Sequence, residues 1–249
     1  MPRRTLKLVI AYDGTDYVGW QRQARGSSIQ GLIEDALAPF EGRAITVHGA
    51  GRTDAGVHAL AQTASVSMES GHGTVPIQRG LNVALPRSIR IVSVEEAAPA
   101  FHARYDSTGK TYEYRLVNAP FMSPFLTRYA WHVPQPLDFA AMRAAAARLV
   151  GRRDFAAFQG TGSSIQDTVR TVEAIEWSDV TATGEPLVIS VRAGGFLRHM
   201  VRNIAGTLVD AGLGRWDAEG VDAIVRSRDR RRAGRTAPPQ GLFLANVRY

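Results

Sequence analysis

Arg52, Asp54 and His58 are three side chains able to do ionic, nucleophilic or acid–base chemistry, and they stand close together in the stretch VHGAGRTDAGVHALAQ, Val47 to Gln62. Gly49, Gly51 and Gly56 surround them, so the backbone there can turn tightly or approach a ligand closely. An apolar strand candidate, Ala44 to Val47, precedes the trio and an alternating one, Ala61 to Met68, follows it. The spacing therefore predicts that all three are presented on a loop. Spacing alone gives Asp54 a commoner role, a turn residue bonded to its own backbone with Arg52 as a solvated ion partner. A metal set of His48, Asp54 and His58 has spacings that match no usual ligand pattern, and the chain has no cysteine to add.

The elements that must position this loop are legible on both sides of it. Leu6, Leu8, Ile10 and Tyr12 alternate with Lys7, Val9 and Ala11, a strand ending at Asp13-Gly14. The loop that follows mixes Tyr17, Trp20, Gln21, Arg22 and Gln23, which suits an RNA contact, while Trp20 suits a core anchor equally well. Ser27 and Gln30 form a candidate capping box for a helix through Ile29, Ile33, Leu37 and Phe40, closed by Pro39 and Gly42. A second helix is expected from Thr74, with Pro76 in its first turn, to Pro86, and a strand over Ile89 to Val94.

The second half repeats this alternation. Thr108 to Val117 reads as a strand with Tyr112, Tyr114 and Leu116 on one face. Asp138 caps an alanine-rich helix stopped at Gly151, a polar loop covers Gln159 to Ser164, and strands are expected over Thr168 to Trp177 and Leu187 to Ala193. A helix from about Phe196 to Ala211 then carries Leu197, Val201, Ile204 and Leu208 inward, with Arg198 and Arg202 one turn apart beside that stripe. The expected fold class is α+β: two similar halves, each with helices on one face of a mainly antiparallel sheet. The boundary is placed near Ala103 to Asp106, giving residues 1–104 and 105–249.

Composition narrows the partners. With 45% hydrophobic and 21% charged residues in 249, the chain reads as a soluble globular protein. Thirty Lys and Arg against 23 Asp and Glu leave a net +7, a surface that attracts polyanions such as RNA. The densest basic run is Arg226, Arg228, Arg230, Arg231, Arg232 and Arg235, which also fits a solvated helix end. The absence of cysteine excludes disulfides, thiolate nucleophiles and Cys-ligated zinc. No stretch approaches a signal-peptide core or a membrane span, so a cytoplasmic protein without membrane contact is expected.

GRTDAGVHA, Gly51 to Ala59, resembles the signature of the tRNA pseudouridine synthases of the TruA family. YDGTDYVGWQRQ (Tyr12 to Gln23), LNVALP (Leu81 to Pro86), FHARYDSTGKTYEYRL (Phe101 to Leu116), GFLRHMVRNIAGTL (Gly195 to Leu208) and TAPPQGLFL (Thr236 to Leu244) are similar to further strings of that family, in order. The resemblance implies a cofactor-free isomerase that converts uridines at positions 38 to 40 of the tRNA anticodon stem-loop. It also implies a homodimer, and an active-site cleft between two domains. By the same resemblance Asp54 is the catalytic nucleophile, Arg52 fills the space left by a flipped base, and Tyr112 binds the uracil by stacking or takes its C5 proton. Arg202, in the MVRN string, corresponds to an arginine that pairs with the catalytic aspartate and keeps it ionised. The chain departs from the family pattern at Gly151-Arg152-Arg153-Asp154-Phe155, where Arg153 stands in place of a histidine. Two other classes compete: a non-catalytic basic RNA-binding protein or chaperone, and a metal-dependent nuclease.

Overall fold

A computed structural model describes residues 3–178 and 184–249. The chain divides into two compact units, Met1–Thr108 with Phe243–Tyr249, and Gly109–Leu242. The sequence reading places 105–249 together; here the last strand counts with the first unit.

In the first unit β1 (Arg4–Tyr12) is followed by α1 (Ile29–Glu41), β2 (Val47–Gly49), β3 (His58–Met68), α2 (Thr74–Ala84) and β4 (Ile89–Ala97). Strand β1 lies between β3 and β4, antiparallel to both, and β2 adds antiparallel to β3. The alternation in β1 does what its period dictates: Leu6, Leu8, Ile10 and Tyr12 are buried, and Lys7, Val9 and Ala11 are half-exposed. Helix α1 buries Ile29, Ile33 and Leu37. Its N-cap is Ser28, whose side chain accepts from the Gly31 N–H, and not Ser27. Gln30 does not close a capping box, because its side-chain oxygen accepts from the Gln21 amide and the Arg22 N–H. Pro39 lies inside the last turn, and Gly42 ends the helix at φ 75°. Helix α2 starts at Thr74, but the cap is Gly73, with no side-chain cap bond. Residues 44–46 are outside any strand, so the strand before the glycine-rich loop is shorter and later than its apolar pattern suggests.

The second unit runs β5 (Gly109–Val117), β6 (Trp131–His132), α3 (Phe139–Ala147), β7 (Gly151–Asp154), β8 (Val169–Trp177), β9 (Leu187–Ala193), α4 (Met200–Gly212) and α5 (Ala218–Ser227). Strands β5, β9, β8 and β7 follow one another antiparallel, with β6 parallel to β5. Asp138 caps α3 as expected, accepting from the Ala141 N–H at 2.9 Å. The final strand β10 (Leu242–Arg248) returns to the first unit and pairs parallel to β3, Phe243 opposite His58. Both units are α+β with mainly antiparallel sheets, the expected class.

Helix α4 departs from its expected start. The apolar pattern predicts it from Phe196, yet it begins at Met200, because His199 sits at φ 58° in the left-handed region and interrupts the helical run. Arg198 is therefore not on this helix. It is exposed and donates to the carbonyl of Thr161 at 3.1 Å.

Candidate active site

The glycine-rich loop is built from the backbone outward. The Ala50 N–H donates to the Thr63 carbonyl at 2.8 Å, and the Gln62 amide donates to the Gly51 carbonyl at 2.8 Å. Thr53 is buried, its hydroxyl 2.7 Å from that of Tyr12 and its carbonyl accepting from the Trp20 N–H at 3.0 Å. Burial pushes the Tyr12 hydroxyl's pKa well up, only partly offset by the bond to Thr53, so it stays a neutral partner. Asp54 to Val57 closes as a turn, the Val57 N–H donating to the Asp54 carbonyl at 3.1 Å with Gly56 at φ 75°. That positive φ at the third turn position is what selects glycine there.

A second loop buttresses the first. A Cβ on Gly19, at φ 107°, would stand 2.6 Å from the Thr53 carbonyl oxygen, and one on Gly14 would stand 1.9 Å from that of Val57. Only glycine permits this approach. Trp20 resolves as a core anchor: it is 2% exposed and lies over Gly49, where a Cβ would come within 2.5 Å of the indole. With Thr53 pinned inward, its neighbours are turned the other way, Arg52 exposed and Asp54 half-exposed. A backbone fixed in this way presents a carboxylate and a guanidinium two residues apart at the surface of the first unit.

His58 does not belong to the presented group. It opens β3, is 1% exposed, accepts from the Gly14 N–H at 3.0 Å and stacks on Phe243 with centroids 4.6 Å apart. The metal set is not assembled: His48 stands opposite Ser65 on β3, roughly 20 Å along the strand from His58 at about 3.3 Å per residue.

In the second unit β5 holds Tyr112 and Tyr114 on one face, as the alternation requires, and the structure separates them. Tyr114 is fully buried, its hydroxyl donating to the Pro238 carbonyl at 2.8 Å. Burial raises its pKa strongly, although the Arg202 charge works against that. Tyr112 keeps 8% of its surface, with Phe196 packed edge-on at 5.0 Å. Arg202 lies in the first turn of α4, its Nε donating to the Ala237 carbonyl at 2.7 Å.

The segment Thr236 to Gly241 is the part of this region to which sequence reasoning gave no role, although its TAPP string stood out. It joins Arg202 through Ala237 and Tyr114 through Pro238. It also joins Asn203, whose Oδ1 accepts from Thr236 and from Arg230. The basic run is accordingly not one solvated face. Arg230 turns inward, and burial lowers its pKa. Arg228 pairs with Asp154 at 2.8 Å, Arg231 with Asp229 at 2.8 Å, and Arg235 with Asp210 at 3.3 Å. Arg153, on β7, donates to the Arg148 carbonyl at 3.2 Å.

Comparison with known proteins gives this geometry its context. A family profile described as tRNA pseudouridine synthase matches residues 8–106 and 145–249, one segment holding the Asp54 loop and the other Arg202. The chain is 43% identical to tRNA pseudouridine synthase A of Pelobacter propionicus, over 99% of this chain and 100% of that one. It is 44% identical to the protein of that name from Geobacter sulfurreducens, again over 99% and 100%. A third, from Methylobacterium sp., is 42% identical over 100% of this chain and 98% of its own. Similarity at this level along the whole chain means that the protein belongs to the tRNA pseudouridine synthase family.

Proposed function

We propose that this protein isomerises uridine to pseudouridine in tRNA, at positions 38 to 40 of the anticodon stem-loop, without a cofactor and as a cytoplasmic homodimer. The observation that carries the reading is Asp54, half-exposed on a loop held by Tyr12 through the Thr53 hydroxyl and by Trp20 and Gln62 through its backbone carbonyls. In this reaction the bond from ribose C1′ to N1 breaks and one from C1′ to C5 forms. The C5 hydrogen leaves as a proton and N1 takes one up, so the product is an isomer and no redox partner is consumed. Asp54 is assigned as the nucleophile toward the ribose carbon or the uracil ring, a role in which carboxylates serve glycosidases. The uridine must leave its stack at a cost of a few kcal/mol; Arg52 is assigned to the vacated space and Tyr112 to the flipped uracil. Arg202 is assigned as the cation that keeps the nucleophile ionised, since a nearby opposite charge lowers a carboxylate's pKa.

The experiment is release of tritium from C5-labelled uridine in a tRNA transcript, without ATP or added metal, followed by mapping of the modified positions. Stoichiometric release confined to positions 38 to 40 is the expected result. Binding without release would support an RNA chaperone, and strand cleavage abolished by EDTA would support a nuclease.

A further inference from the structure

A second feature of the first unit faces outward and takes no part in the proposed chemistry. Three rings stand in sequence. His48 and His102 have centroids 5.0 Å apart at 34°, and His102 and Tyr105 have centroids 4.3 Å apart at 33°. The Arg104 guanidinium lies 5.8 Å from the Tyr105 centroid. Tyr105 is 75% exposed, and His48 and Arg104 are also exposed. Single exposed aromatics are ordinary; a run of three with a cation beside it is not explained by burial, since Tyr105 buries so little.

The cluster is held still. His102 accepts from the Arg104 backbone N–H through Nδ1 at 3.1 Å, and the His102 backbone N–H donates to the Asp106 carboxylate at 2.9 Å. Ala103 between them donates to Ser65 Oγ at 3.0 Å and accepts from the Tyr249 hydroxyl at 2.8 Å. Phe101 packs on the Tyr249 ring at 5.1 Å. A rigid aromatic surface costs little to order on binding. His48 comes from β2, the strand that runs directly into the Asp54 loop, six residues before Asp54 and so within about 22 Å of it even if fully extended.

We propose that His48, His102 and Tyr105, with Arg104 beside them, form a stacking platform for an unpaired nucleobase of the RNA substrate, with Arg104 on a neighbouring phosphate. Every base offers a π-face, so such a platform adds affinity without reading sequence, while the guanidinium adds a salt-dependent contact. The proposal rests on the reading that the substrate is tRNA.

The test compares Tyr105→Leu, Tyr105→Trp and Arg104→Gln in tRNA filter binding across a salt series, with thermal midpoints and tritium release measured on each. Tyr105→Leu is expected to weaken binding by about five- to a hundred-fold without changing the slope of log affinity against log salt. Tyr105→Trp should bind at least as well as wild type, and Arg104→Gln should reduce the slope by about one. Wild-type binding by Tyr105→Leu, in a protein that still modifies tRNA, would overturn the platform and leave the enzymatic reading intact. A loss shared by Leu and Trp variants together with a lowered thermal midpoint would also overturn it, assigning the rings to loop packing. A wild-type protein that neither binds nor modifies tRNA would fail the reading itself.

Discussion

Arg202 and Ala237 are tied to each other twice: Arg202 Nε donates to the Ala237 carbonyl at 2.7 Å, and the Ala237 N–H donates to the Arg202 carbonyl at 3.1 Å. The backbone of α4 and the TAPP segment are thereby locked together, and the guanidinium is aimed by a carbonyl rather than by solvent. Lysine keeps the charge but has no Nε–H fork to be held in this way. Arg202→Lys is therefore expected to fold, to bind tRNA with nearly wild-type affinity, and to lose on the order of 10²-fold in kcat, the scale for losing one preorganised charged donor. A Lys variant with wild-type single-turnover rate would show that charge alone suffices and that the Ala237 anchor is structural.

Asp54→Ala removes a half-exposed carboxylate whose backbone is fixed by other residues, so the loop should survive. Turnover is expected to vanish while tRNA affinity stays within a few-fold, because phosphate contacts dominate binding and a carboxylate opposes it. Tritium release at the normal rate from the folded variant would remove Asp54 from the nucleophile's role.

Gly49→Ala is a test of the loop's support rather than its chemistry. The added methyl would meet the Trp20 indole at 2.5 Å, and that ring is buried at 2% exposure. Overpacking of this kind costs about 1–3 kcal/mol, which lowers the thermal midpoint by several degrees in a chain of this size. An unchanged midpoint would mean that Trp20 is less fixed than its packing indicates.

Much of this was legible in the sequence where the cause is local. Period-two burial in Leu6, Leu8, Ile10 and Tyr12, and the Asp138 cap on α3, follow from neighbours in the chain. What misled was decided at a distance. Ser27 and Ser28 are equivalent as cap residues until the Gln30 side-chain oxygen is taken by Gln21 and Arg22 of the preceding loop. His58 reads as a loop residue until Phe243 of the last strand stacks on it. Phe196 and Leu197 fit the apolar period of α4, but Phe196 packs on Tyr112 of β5 while His199 takes the left-handed conformation, and the helix begins at Met200. The Asp54 loop was recognised through its residue string, whereas the part played by Thr236 to Pro238 depends on side-chain bonds that no periodicity encodes.

Asp154 gives the fold a dependence on acid pH. Its pKa lies below the usual carboxylate value, chiefly because Thr168 donates to it at 2.6 Å, with the Ala156 N–H and the Arg228 charge adding to the effect against partial burial. A carboxylate with a depressed folded pKa contributes stability that is fully present above its unfolded value, about 3.9, and is lost as pH falls through the folded one. Arg228 is 69% exposed, so salt should screen its share and leave that of Thr168. Thr168→Val is expected to raise the Asp154 midpoint toward the ordinary value in a carboxyl NMR titration, and 0.5 M salt in the wild type to raise it less. The reverse order would make the ion pair the dominant cause.

Tyr112 can be made to separate its two proposed jobs. The competing tyrosine on the same face, Tyr114, is removed from contention because its hydroxyl is committed to Pro238 and burial holds it protonated. Tyr112, packed edge-on by Phe196, keeps its ring in place whether or not it carries an oxygen, so Tyr112→Phe deletes only the hydroxyl. Stacking on a base is worth roughly 1–3 kcal/mol, and a general acid–base group about 10² to 10⁴ in rate. If the hydroxyl removes the C5 proton, Tyr112→Phe should be slowed by that order with nearly normal binding, and Tyr112→Leu should be little worse. If the ring is the main contribution, Phe should match wild type and Leu should weaken capture of the flipped uracil. The proton-transfer outcome is expected, because a proton must leave C5 and His58, the histidine of the motif, is buried against Gly14 and Phe243. Single-turnover tritium release decides between them: a fully active Phe variant would leave Tyr112 as a platform and place the base elsewhere.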